Sequence, residues 1–191
     1  FALGGAPIAG LRSSAGLAFP VFRLGQPRPY AWIVRPDVPR VIRGRTLKYE
    51  WPKGVAPCFD VLPRYRDALG DPRISLWITE GAKKADALAS AFGDAIVPLN
   101  LNGVWGFRGT NVAGGKQALP DFDEVAWNGR TVVLTFDSDV ARNNKVAAAL
   151  RRLAALLHAR GVAEIRMLLL PQAGDAKVGV DDFLAAGHTT A

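Results

Sequence analysis

The chain has 191 residues, 49% of them hydrophobic, with a formal net charge of +7 and a single cysteine. This length suits one full domain or two small ones with a real core, and no apolar run reaches the ~20 residues of a membrane-spanning helix. Lone Cys58 excludes an internal disulfide and a cysteine zinc site, and it favours a reducing, cytoplasmic setting.

The charge is unevenly placed. Residues 1–70 hold 11 Lys+Arg against 4 Asp+Glu, whereas residues 71–191 hold 13 of each. A basic first third beside neutral sequence with clustered acids suits a polyanion held near bound cations. In chain order, residues 1–18 are rich in Gly, Ala and Ser and read as an irregular lead-in. Phe19 to Lys53 carries short β-like segments, Phe19–Leu24, Tyr30–Arg35 and Val41–Ile42, separated by Pro- and Gly-bearing turns. Arg35, Arg40, Arg43, Arg45 and Lys48 are interleaved there with Tyr30, Trp32, Tyr49 and Trp51. Cations beside aromatic faces suit single-stranded nucleic acid, whose phosphates need charge and whose bases need a stacking platform. The plainer reading makes the aromatics the core of a small sheet, and for Trp32 it is the better one.

Residues 54–73 read as a connector, which divides the chain into a basic β-rich region, 1–73, and an α/β domain, 74–191. From Ile74 the rhythm becomes strand and helix in alternation: a strand over Ile74–Thr79, a helix over Lys83–Phe92 closed by Gly93, and a strand over Ala95–Asn100 interrupted by Pro98. A glycine-rich loop, Gly103 to Lys116, follows; its amides, with Arg108 and Lys116, suit a phosphate, although it lacks the P-loop pattern. A short helix over Asp121–Trp127, a strand over Thr131–Phe136, a helix over Val140–Arg160 and a strand over Ile165–Leu170 complete the rhythm. In the long helix Val146, Leu150, Leu153 and Leu157 share one face. Asp181-Asp182 leads into a short terminal helix. Strands alternating with helices predict a parallel sheet covered on both faces.

The acids sit where such sheets place their sites, at the carboxyl ends of strands. Glu80 follows the first strand, and Asp137 and Asp139 follow a later one. Crowded carboxylates repel unless a cation neutralises them, and an all-oxygen set without His or Cys suits Mg²⁺ or Mn²⁺ better than zinc. Such a site polarises a phosphoryl oxygen, with Glu80 available as general acid or base. Plainer roles stay open: Glu80 as a helix cap, Asp137 and Asp139 as a turn, Asp181 and Asp182 as a cap or a supporting metal pair. Lys83 and Lys84 read as a solvated helix face, yet cations in a first turn oppose the helix macrodipole, so an anionic partner would account for them.

Glu-Gly after a first strand with Asp-x-Asp after a later one resembles the Toprim domain of bacterial primases, type IA and II topoisomerases and some nucleases. Trp77-Ile-Thr-Glu-Gly-Ala-Lys-Lys-Ala-Asp86, Gly103-Val-Trp-Gly-Phe-Arg-Gly109, Phe136-Asp-Ser-Asp139 and Lys177-Val-Gly-Val-Asp-Asp-Phe-Leu184 are similar to the Toprim-like, primase-associated domain of phages, plasmids and integrated mobile elements. The upstream Val34–Arg40 and Lys48–Pro52 segments belong to the same pattern. The resemblance implies Glu80, Asp137 and Asp139 as metal-binding and catalytic acids, with Asp181 or Asp182 as a downstream acid. It implies a primase-like core that joins nucleotides on single-stranded DNA using Mg²⁺ or Mn²⁺ and nucleoside triphosphates, beside a fused or associated helicase. Arg35, Arg40, Arg43, Arg45, Lys48, Lys83, Lys84 and Arg108 are the phosphate-contact candidates. Competing expectations are a Toprim nuclease using the same acids, a non-catalytic DNA-binding module, and an Asp-x-Asp phosphatase, the last disfavoured because its motif would end the first strand.

Overall fold

A computed structural model describes residues 2–3, 6–7, 15–138, 143–171 and 178–189. Strands β1 (Ala2–Leu3) and β2 (Ala6–Pro7) form a minimal antiparallel pair. The basic β-rich region expected from the sequence consists of two hairpins. In the first, β3 (Gly16–Val21) pairs antiparallel with β4 (Ala31–Pro36), from Gly16↔Pro36 to Val21↔Ala31. In the second, β5 (Arg40–Ile42) pairs with β6 (Arg45–Leu47) across Arg43-Gly44, whose φ values of 49° and 74° match a two-residue primed turn. A bridge between Val34 and Glu50 then lays the Tyr49–Trp51 segment along β4.

After these hairpins come α1 (Arg66–Leu69), β7 (Ser75–Thr79), α2 (Ala82–Phe92), β8 (Ile96–Asn100), β9 (Arg108–Thr110), β10 (Lys116–Ala118), β11 (Thr131–Leu134), α3 (Asn144–Ala159), β12 (Glu164–Met167) and α4 (Val180–Ala185). Four strands form one parallel sheet in the order β12-β11-β7-β8. From β7 the chain crosses over to β8 on one side, and from β11 it crosses to β12 on the other. Right-handed crossovers in opposite directions place their helices on opposite faces. The packing agrees: Leu150, Leu153 and Leu157 of α3 share a core cluster with Leu76, Ile78, Val132 and Leu134, while Leu88 of α2 joins Ile96 and Val180 in a separate cluster against Trp77. This is the α/β parallel sheet with helices on both faces that the sequence predicts, and it is consistent with a Toprim-like fold. The strand order reverses between β7 and β11, where the carboxyl ends of an open sheet leave a crevice.

Several local differences have physical reasons. Pro98 is tolerated because β8 is an edge strand: Leu101 donates inward to Thr79 while Asn100 donates outward to Asp60, so by alternation the Pro98 nitrogen faces away from the ladder. The expected connector also contributes to the core, with Phe59, Val61, Tyr65 and Leu69 buried in the cluster that includes the sheet. Asp121–Trp127, expected as a helix, contains a 3₁₀ turn at Pro120–Glu124 instead. The glycine-rich loop holds the β9–β10 hairpin. The long helix starts at Asn144, capped by the Asn143 side chain, which accepts from the backbone N–H groups of Lys145 and Val146; residues 140–142 of the expected helix lie outside the described residues. Arg130 is wholly buried, and its guanidinium donates to the carbonyls of Ala68, Leu69, Ile74 and Ala126. Among the described residues no helix is long and apolar enough to cross a membrane.

Candidate functional site

Strand β7 ends at Thr79, which puts Glu80 at the crevice mouth, and Gly81 then turns the chain into α2. On the neighbouring strand the ladder runs on for one residue, because Thr135 donates to Ile78 at 2.8 Å, and Asp137 follows beside Glu80. Lys84 stands four residues after Glu80, one helical turn away, so its side chain reaches back toward the strand end. Its Nζ lies 2.8 Å from Glu80 Oε1 and 2.7 Å from Asp137 Oδ1. All three side chains are largely buried, with exposures of 11%, 15% and 11% for Glu80, Lys84 and Asp137. Two strand-end carboxylates thus converge on one cation.

The electrostatics follow from that convergence. Burial pushes the Glu80 carboxyl up; Lys84 opposes the shift, Asp137 adds to it, and the net direction is upward. Burial pulls the Lys84 ammonium down, but the Glu80 charge and hydrogen bonds to Asp137 and Glu80 outweigh it, so the ammonium is held above its ordinary range. The adverse first-turn position of the lysines is therefore compensated by the chain's own acids, Glu80 and Asp137 for Lys84 and Asp181 for Lys83 at 3.1 Å.

Helix α4 closes one wall. Ser138 donates its N–H to the Val178 carbonyl at 3.1 Å, and Val178 donates to Ser138 Oγ at 3.0 Å, tying the segment ahead of α4 to the Asp137 loop. Gly179 packs so closely that a Cβ there would lie 2.5 Å from Asp181 Oδ1, 2.9 Å from Lys84 Cε and 3.1 Å from Asp137 Oδ1. Glycine permits that approach.

Of the five acids expected to bind metal, Glu80 and Asp137 meet through the Lys84 ammonium. Asp181 pairs with the neighbouring Lys83, and Asp182 turns toward the Gly179 N–H at the start of its own helix. Asp139 lies outside the described residues. Among the described residues no group of three His, Cys, Asp or Glu side chains is placed to hold a metal. Two carboxylates nevertheless meet what Mg²⁺ usually takes from protein, the remaining positions going to water and substrate phosphate. Glu80 and Asp137 already share one positive charge, the Lys84 ammonium, which a metal held by the pair would have to displace.

The basic candidates divide. Arg40 is paired with the buried Glu50, and Arg108 lies over the Trp105 ring with its guanidinium carbon 3.7 Å from the centroid. Arg35, Arg43 and Lys48 are exposed, while the Arg45 side chain lies outside the described residues. Beside Glu80 opens a pocket of about 230 Å³ whose walls come from both regions: Ile33, Tyr49 and Trp51 on one side, Glu80, Asn102 and Gly103 on the other. Asn102 had no part in the expected site. The turn is tied to the acid, since Gly103 donates to the Glu80 carbonyl at 2.9 Å, and the sequence signal for it is the Asn102-Gly103 pair, with φ of 54° and 118°.

Residues 65–191 match the family described as Domain of unknown function (DUF3854). The chain belongs to that family. No curated protein matches it. The segment shared with the DUF3854 family starts at Tyr65 and contains Glu80, Lys84, Asp137 and Asn102, whereas Tyr49 and Trp51 lie ahead of it. The acid pair is thus a feature of the family domain in this chain, and the aromatic wall is contributed by the region that precedes it.

Proposed function

We propose that this DUF3854 chain is the catalytic core of a primase-like replication protein that transfers nucleotides on single-stranded DNA. The observation that carries the reading is the convergence of Glu80 and Asp137 on a single cation at the β7–β11 switch point. Bound Mg²⁺ or Mn²⁺ would supply a Lewis acid for a phosphoryl oxygen. Glu80 and Asp137 would hold the ion, and Lys84, released from between them, would face the substrate phosphates as a point charge. Exposed Arg35, Arg43 and Lys48 in the basic region supply sequence-independent contacts to the template backbone. The resemblance to Toprim-like primase-associated domains supports the same reading and brings with it a helicase, fused or associated, as the partner that exposes the template.

Incubation with single-stranded DNA, all four ribonucleotides, all four deoxynucleotides and Mg²⁺ or Mn²⁺ tests it. New labelled oligonucleotides in the wild type that vanish in Asp137→Asn are the expected result. Template shortened by the wild type and spared by the same variant would replace the reading with a nuclease. No change in either nucleic acid would leave a binding module.

A further inference from the structure

We propose that the pocket between Trp51, Tyr49 and Glu80 is a nucleobase site, which seats one base of a nucleotide or DNA strand whose phosphates lie toward the acid pair. The inference deepens the proposed function and rests on it for the direction of the phosphates alone.

The pocket's size speaks first. At about 230 Å³ it is smaller than the ~300–1,000 Å³ of sites that enclose a drug-sized molecule, so it takes one flat ring system rather than a whole nucleotide. Its walls are suited to a ring. Trp51 donates its indole N–H to the Val55 carbonyl at 2.8 Å, which fixes the ring plane, and Tyr49 remains 41% exposed beside it. Every base has a π-face, so aromatic walls of this kind hold bases without sequence preference.

The floor adds a polar group. Asn102 is pinned in a left-handed conformation at φ 54°. Its Oδ1 accepts from Asn100 Nδ2 at 2.7 Å and its backbone N–H donates to Asn100 Oδ1 at 2.9 Å. That arrangement leaves the buried Asn102 Nδ2 without a partner among the described residues, a spare donor on a residue that lines the pocket. The surroundings give direction. Glu80 lines the pocket, which places one wall at the Glu80–Lys84–Asp137 cluster, and Arg35 follows Ile33 by two residues on the same face of β4. A base in the pocket would therefore have an exposed arginine on the strand that forms one wall and a cation-holding acid pair at the other. A purely apolar ligand would use neither.

The test uses 2-aminopurine, whose emission falls on stacking, in two forms: the riboside triphosphate, and a single-stranded dodecamer carrying it internally. Titrations with the intact chain are run in Ca²⁺, with no second nucleotide present, so that binding is read without turnover. Quenching that saturates with one form or both, and an affinity about tenfold weaker in Tyr49→Ala, is the expected result. Whichever form responds identifies the source of the base. Asn102→Gly keeps the backbone conformation and deletes the donor, and it is expected to weaken binding without changing competition by inorganic triphosphate. Trp51→Leu repeats the test should Tyr49→Ala lower thermal stability. No quenching with either form, or equal affinities in wild type and in folded Tyr49→Ala and Asn102→Gly variants, would overturn the proposal. Primer synthesis with unaltered base binding in the variants removes the pocket alone; base binding without primer synthesis removes the proposed activity alone.

Discussion

Lys84→Met deletes the charge at the centre of the candidate site while keeping a side chain of similar length. In its absence Glu80 and Asp137, each 11% exposed, face one another without the ammonium that now lies 2.8 and 2.7 Å away. Removing one partner of a buried ion pair costs ~3–5 kcal/mol, and the low end applies because Glu80, already pushed upward by burial, can take up a proton. A loss of about 3 kcal/mol in a chain of this size lowers Tm by roughly 6–12 °C. A divalent cation reverses the effect. A ligand held by the native state at one hundred times its Kd returns about 2.7 kcal/mol, and in the variant it need not displace a lysine. Thermal unfolding at pH 7 in EDTA and in saturating Mn²⁺ measures both quantities. The expected result is a large Tm deficit in EDTA that shrinks or disappears with Mn²⁺, with Mn²⁺ raising Tm more in the variant than in the wild type. An equal deficit in both conditions would refute the idea that Lys84 occupies the cation position.

Four further outcomes follow from the same structure. Asp60 is raised from 3.8 to about 6, chiefly by burial, against hydrogen bonds from the Phe22 N–H and Asn100 Nδ2. The folded state therefore holds this proton more tightly than the unfolded chain, and the contribution to stability is lost as pH rises from about 4 to 6, on the order of 3 kcal/mol; urea midpoints should flatten over that window in Asp60→Asn, and an unchanged slope would count against it. Arg130→Met strands four carbonyls that its guanidinium now serves and should lose at least about 3 kcal/mol in chemical denaturation, with Arg130→Lys recovering only part because an ammonium cannot span the same fork. Gly106→Ala places a Cβ 1.5 Å from the Leu101 carbonyl oxygen, so the turn bearing Asn102 must move; a loss above about 2 kcal/mol is expected, and a wild-type Tm would contradict it. Arg35→Ala and Arg43→Ala should each reduce the slope of log affinity against log salt for single-stranded DNA by about 0.7, without changing sequence preference.

Much of this arrangement is legible in the sequence because it is local. Ile74–Thr79 and Thr131–Phe136 are apolar runs ended by acids, and Gly81 and Gly93 bracket a helix, so strand and helix boundaries follow from composition within a few residues. The meeting of Glu80 and Asp137 follows from strand-end position once β7 and β11 are neighbours. What stays hidden is long-range. The four-residue spacing from Glu80 to Lys84 is visible, but nothing local says that the same ammonium also meets Asp137. Arg130 reads as an ordinary polar residue ahead of a strand, because the carbonyls of Ala68, Leu69 and Ile74 are brought to it by α1 and the chain entering β7. Prolines at 57 and 63 make residues 54–73 look like a connector, although Phe59 and Tyr65 are core. Tyr49 and Trp51 carry a stacking signal, yet that they share a pocket with Glu80 depends on long-range packing of the segment laid along β4 against the chain after β7 and β8.

The central claim is that Glu80 and Asp137 form a divalent-cation site, and a Mn²⁺ titration followed by electron paramagnetic resonance tests it most directly. One tightly bound Mn²⁺ per wild-type chain, lost in both Glu80→Gln and Asp137→Asn and strengthened in Lys84→Met, is the predicted result. Equal Mn²⁺ binding in the wild type and in both acid variants, with each still folded, would contradict the account.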